Sequence, residues 1–119
     1  MGTGVGMPAA LKLDAFGRRI CDAFGHHPYH VGSSLLGREW RDVDVRLMLP
    51  DDEFDLLFPD HRTPPHADPR WALLCEALSD MGRALTGLPI DFQIQRTTEA
   101  NDEFTGPRSA LGLLIMREP

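Results

Sequence analysis

Residues 30–49 read HVGSSLLGREWRDVDVRLML, and the second half of this stretch decides the fold. From Arg41 to Leu49 apolar and polar residues alternate. Val43, Val45, Leu47 and Leu49 point one way, and Asp42, Asp44, Arg46 and Met48 the other. That two-residue period predicts a strand with one face on a core and the other toward something polar. Pro50 ends it. Asp is a poor strand former, and like charges on one strand face repel. The aspartates therefore need an explanation that sheet formation alone does not supply.

Outward from this strand, the chain carries two amphipathic helical patterns and a second alternating segment. Leu13, Phe16, Ile20 and Phe24 mark a helix over 9–24 that stops at Gly25. Trp71, Leu74, Cys75, Leu78, Met81 and Leu85 mark another over 70–86, opened by Asp68 or Pro69 and closed by Gly87. Pro89 to Gln95 alternates again. Ile90, Phe92 and Ile94 face the core, and Asp91, Gln93 and Gln95 face outward. His26 to Val31 leads into a short strand. Residues 51–69 read as loop with a packed turn near Phe54 to Phe58, and 97–108 as a polar tail. Residues 109–116 read as a short helix or a final strand. The expected fold is α+β: a small mixed or antiparallel sheet with helices packed on one face. Residues 1–8, glycine-rich, are expected to be a flexible N-terminus, and 9–119 a single domain.

Composition narrows the function classes. A net charge of -6 argues against non-specific binding to nucleic-acid backbones. No apolar run is long enough to span a bilayer and no secretory signal is visible, so a cytoplasmic protein is expected. Cys21 and Cys75 fall on apolar helix faces and read as buried free thiols. The five histidines match no usual zinc spacing and read as surface or loop residues. Trp40 and Trp71 read as packing residues.

The chemistry concentrates on the aspartates. Asp42 and Asp44, two apart on a strand, leave the same face about 6 to 7 Å apart at the backbone. Carboxylates that close raise each other's pKa unless a cation sits between them. Mg²⁺ or Mn²⁺ suits such oxygens, and a third carboxylate from a neighbouring strand allows a second ion. Asp91, on the polar face of the other alternating strand, is the candidate. The Gly32-Ser33 pair can bring backbone amides and a hydroxyl against phosphate oxygens. Arg38, Arg41 and Arg46 either contact a triphosphate or neutralise nearby aspartates. A solvated half-exposed sheet face is the plainer account of all three acids, though such faces favour Thr, Lys or Glu over Asp in mid-strand.

Taken in order, VGSSLLGREWRDVDVRLML followed by LPIDFQI resembles the nucleotidyltransferase superfamily of the DNA polymerase β type, as a minimal single-domain member. The matching positions are Gly32, Ser33, Asp42, Asp44 and Asp91, and the likeness covers residues 9 to 96. The resemblance implies metal-dependent transfer of a nucleoside monophosphate from an NTP, such as ATP, to a hydroxyl acceptor. Asp42 and Asp44 would bind both metals, and Asp91 the catalytic one. Gly32 and Ser33, with Arg38 and Arg46, would hold the nucleotide. The acceptor is left open by the sequence, and a second copy or a partner protein would complete its pocket. The alternative is a catalytically inactive module of the same fold, serving nucleotide sensing or protein–protein interaction, with 97–108 as the contact surface.

Overall fold

The structure, a computed structural model, describes residues 6–32, 34–35, 42–59, 68–103 and 105–114. The described elements run α1 (Ala9–Phe24), β1 (Tyr29–Val31), β2 (Val43–Leu49), α2 (Asp51–Leu57), α3 (Pro69–Thr86), β3 (Ile90–Arg96), α4 (Thr97–Glu103) and β4 (Ser109–Ala110). The strands form one mixed sheet in the order β3-β2-β1-β4. β2 pairs parallel with β3, whereas β1 pairs antiparallel with both β2 and β4. Parallel neighbours need a crossover, which α2 and α3 supply. The fold is α+β, as the alternating and helical patterns imply.

The core lies between the sheet and the α1–α3 layer. Val43, Val45, Leu47 and Leu49 of β2 and Ile90, Phe92 and Ile94 of β3 are buried with Leu13, Phe16 and Ile20 of α1 and Trp71 and Cys75 of α3. Phe16 meets Phe92 edge to face, ring centroids 6.0 Å apart. Two segments without a readable period turn out helical. Residues 51–57 form α2, with Asp51, Asp52 and Glu53 in its first turn, where the helix dipole favours acids, and with Phe54 buried. Residues 97–103 form α4, whose Thr97 hydroxyl donates to Leu49 O at 2.8 Å. Thr98 donates to Asp51 through both its amide and its hydroxyl. α4 sets Ala100 against Met48 and Val31, on the sheet face opposite the main core. That contact buries Met48, which alternation alone assigns to the polar face.

β3 is an edge strand, and an open edge exposes unpaired backbone groups. α3 closes it with side chains. Ser79 Oγ donates to Phe92 O at 3.3 Å and accepts from Phe92 N at 2.9 Å. Ile94 N donates to Cys75 Sγ at 3.5 Å, and Trp71 Nε1 donates to Ile94 O at 2.7 Å. The two repeats are commensurate: four helical residues rise about 6.0 Å and two strand residues about 6.6 Å. One helix face can therefore serve every second residue of the strand. Both thiols are free; Cys75 is buried, and burial pushes it up to about 11, while Cys21 is half-buried.

At the other side the chain after β4 crosses α1. The crossing is close: a Cβ on Gly17 would collide with the Cβ of Leu111. The buried Asp14 carboxylate accepts from Gly112 N at 2.8 Å and Leu114 N at 3.2 Å, fastening the crossing segment to the helix.

Ser79→Ala should lower stability by about 1–2 kcal/mol, because two buried backbone groups of Phe92 lose their partner. Urea unfolding checks this, and amide exchange at Phe92 should quicken more than at the amides between β2 and β3.

Candidate functional site

The parallel register pairs Asp44 with Asp91 as direct neighbours across β2 and β3. In-register partners project from the same sheet face, so the two carboxylates stand side by side about one strand spacing apart. Arg46, two residues along β2, reaches back between them. Its Nη2 lies 3.3 Å from Asp91 Oδ2 and 3.8 Å from Asp44 Oδ1. Its Nη1 donates to Asp91 O at 2.6 Å and to Val45 O at 3.2 Å. Arg46 is 5% exposed, so its charge is balanced in a largely desolvated place. Of the two roles open to this arginine, the structure shows neutralisation of the acids.

Asp44 is held above the ordinary carboxylate range. Burial is the main cause; Asp91, Asp42 and Glu103 add to it, and Arg46 opposes it. Three other carboxylates thus bear on Asp44, and one guanidinium opposes them. Asp42 lies one residue before β2, and it is exposed rather than part of the strand. Glu103 was not legible as a site residue, since α4 offers one buried residue, Ala100, and so no apolar stripe. Gln95 Nε2 donates to Glu103 Oε2 at 3.2 Å, and so ties α4 to the polar face of β3.

The turn after β1 packs against Asp44. Gly32 has φ +84°, and a Cβ there would come 2.5 Å from Asp44 Oδ2, so the site admits glycine on both conformational and steric grounds. Leu35 N donates to Gly32 O at 3.2 Å. His30 Nε2 and Ser34 Oγ are 2.6 Å apart, both residues buried. His30 is therefore no surface histidine: it lies opposite Val45 across β1 and β2, and burial lowers its pKa to about 4. Neutral His30 holds the turn in place. Ser33 and Arg38, expected nucleotide contacts, and Arg41 and Trp40 lie outside the described residues.

The donor chemistry suits a divalent cation, because Asp44 and Asp91 offer adjacent hard oxygens in surroundings that disfavour excess negative charge. Among the described residues, however, no group of three or more His, Cys, Asp or Glu side chains is gathered closely enough to hold a metal ion. The pair that is assembled already has a cation, Arg46. A cleft of about 470 Å³ lies elsewhere, lined by Leu11, Asp14, Arg18 and Leu114 among others, where the C-terminal segment crosses α1. No helix among the described residues is long and apolar enough to cross a membrane. Comparison of the chain with protein-family models, curated proteins and solved structures finds no match.

Two outcomes follow from these electrostatics. His30 binds its proton more weakly folded than unfolded, where its pKa is about 6.5. The unfolded chain therefore takes up a proton first as pH falls, and stability declines from about pH 6.5 toward pH 4. Urea unfolding should show about 2 kcal/mol lost through His30 between pH 7 and pH 5, and His30→Gln should remove that part of the slope. Asp44 is the opposite case: its raised pKa means the charged form is disfavoured by folding at neutral pH. Asp44→Asn should leave the melting temperature unchanged or raise it by roughly a few degrees, whereas Asp91→Asn, which takes away the closer carboxylate of Arg46, should lower it.

Proposed function

We propose that the face carrying Asp44 and Asp91 is the site of a metal-dependent nucleotidyltransferase, which moves a nucleoside monophosphate from an NTP to a hydroxyl acceptor. The observation that carries this reading is the in-register pairing of Asp44 with Asp91, with Gly32 at positive φ against the Asp44 carboxylate. The resemblance stated from the sequence calls for these residues in this order.

In this reading Asp44 and Asp91 hold Mg²⁺ or Mn²⁺, joined by Asp42 from the strand entry. Bound there, the ions would lower the pKa of the acceptor hydroxyl and neutralise the triphosphate. The acceptor oxygen forms a bond to the α-phosphorus, the bond to the bridging oxygen breaks, pyrophosphate leaves and the hydroxyl proton passes to solvent. The chain itself contributes position. β2 and β3 fix the carboxylates relative to each other. The Gly32 turn, pinned by His30 through Ser34, admits a close backbone approach to phosphate. Ser33 and Arg38 are the proposed further contacts to the nucleotide. The acceptor pocket is completed by a second copy or another protein.

A second reading has its own support. Arg46 already balances the two carboxylates, as in a module that keeps the fold without the chemistry. The two readings diverge in one assay: each NTP labelled at the α-phosphate is incubated with the protein, Mn²⁺ and cell extract. A transferase releases pyrophosphate and labels an acceptor, and Asp44→Asn cuts the rate by on the order of 100-fold or more while the protein stays folded. Absence of pyrophosphate release with every NTP, from folded protein, selects the module.

A further inference from the structure

The segment that crosses α1 walls a cleft of about 470 Å³, with Leu11, Ala15 and Leu114 as its apolar lining and Arg18, Arg19 and Asp22 as its exposed charges. A second cleft of about 350 Å³ shares Arg18 and Asp22 with the first and adds Leu113. Three large apolar side chains are thus held out to solvent in one place: Leu11, Leu113 and Leu114 are 42%, 59% and 50% exposed. Exposed apolar residues gathered at a concave surface with a few polar groups are the usual make-up of a ligand site, and such sites have roughly this volume. The wall is fixed beforehand. Asp14 accepts from Gly112 N and Leu114 N, and His27 Nδ1 donates to Leu111 O at 2.8 Å. A Cβ on Gly112 would come 2.9 Å from the Arg18 backbone, so the crossing is backbone against backbone. A cleft that exists before its ligand arrives loses little binding energy to ordering.

The charges decide what the cleft takes. Asp14 also lines it, but this carboxylate is buried and both its oxygens are engaged by backbone amides. At the solvent edge two guanidiniums stand against one carboxylate, Asp22. Among the described residues none of these three side chains makes an ion pair or a hydrogen bond. One positive charge is left over beside an apolar lining, in a chain whose net charge is -6. A guanidinium binds a carboxylate through two parallel N–H bonds, and arginine stays charged at every accessible pH. We propose that this cleft binds a small amphipathic monoanion, an acyl or aryl carboxylate. Its apolar body lies on Leu11, Ala15 and Leu114, and its carboxylate meets Arg18 and Arg19. The site shares no residue with the Asp44–Asp91 face and is independent of the reaction proposed there.

The test titrates the whole chain with anilinonaphthalene sulfonate, an apolar monoanion whose fluorescence rises in an apolar site. The probe is then displaced by decanoate, decanol or decyltrimethylammonium, each below its micellar concentration. Decanoate should bind about 10-fold tighter than decanol, and the ammonium weakest. Arg18→Gln with Arg19→Gln should weaken decanoate about 10-fold and leave decanol unchanged. Leu114→Ser should weaken both, and Asp22→Asn should tighten decanoate by roughly 2- to 3-fold. Arg83→Gln, an exposed arginine of α3, should change neither. The substituted positions are exposed, and circular dichroism checks folding; if the double arginine variant does not fold, the two single variants carry the test. Decanol or the ammonium binding as well as decanoate, or wild-type affinity for decanoate without the arginines, overturns the anion site. Probe and decanoate binding unchanged by Leu114→Ser overturns the cleft as the place, and no probe binding by the folded wild type overturns the proposal outright.

Discussion

Two carboxylates placed side by side on neighbouring strands repel, and this protein builds that arrangement between its edge strand β3 and the adjoining β2. Asp44 and Asp91 are register partners, and burial together with Asp42 and Glu103 makes the charge on Asp44 still less welcome. Directly opposed like charges destabilise a sheet, and removing water from them adds to the penalty. Arg46 offsets both effects with a forked contact to the two acids and to the backbone of β3. The arrangement has the character of a site whose groups are held against their own preference, which is common where chemistry or binding is done.

That arrangement depends on register, and register here is enforced from outside the pair. A slip of one residue along β3 would carry Asp91 to the core face and Ile90 or Phe92 to the polar one. The apolar faces of both strands resist this, and α3 resists it again: Ser79, Cys75 and Trp71 each meet a particular backbone group of β3. A helix that packs on the core and also saturates the sheet edge leaves β3 one position along its axis. The position of Asp91 is thus set by side chains that bond the backbone of Phe92 and Ile94 rather than Asp91 itself.

The turn at Gly32 is the third element of the same construction. His30, kept neutral by burial, holds Ser34, and Gly32 accepts the backbone amide of Leu35, so the glycine is presented to the Asp44 carboxylate. On the far side of the sheet order, β4 and the Asp14-bound crossing segment brace α1, while α4 brings Glu103 over the polar face. The Asp14 bonds join residues 98 and 100 apart in the chain, whereas the His30–Ser34 and Leu35–Gly32 bonds that shape the turn are local.

Much of this is written in local sequence. The helices at 9–24 and 70–86, and the strands around Val45 and Phe92, follow from apolar period and end signals, because a helix or strand must bury one side wherever it lies. The acids at 44 and 91 could be singled out because a strand disfavours them, and the glycine at 32 because a tight turn or a close approach favours it. What local pattern does not contain is the partner across space. It cannot distinguish a surface histidine from His30, whose burial comes from the sheet around it, nor an arginine that waits for phosphate from Arg46, which turns onto Asp91. α2 and α4 escaped for want of a stripe, since helices of seven residues are held by contacts at Phe54, Ala100 and the Asp51–Thr98 pair rather than by periodicity. The sequence by itself determined which segments become strands and which acids share a polar face; only the tertiary structure decided that β2 and β3 run parallel in a register that makes those acids neighbours. The physical reason is that burial period is a property of one strand, whereas register is a property of two strands and of the helix, α3, that bonds the edge of one of them.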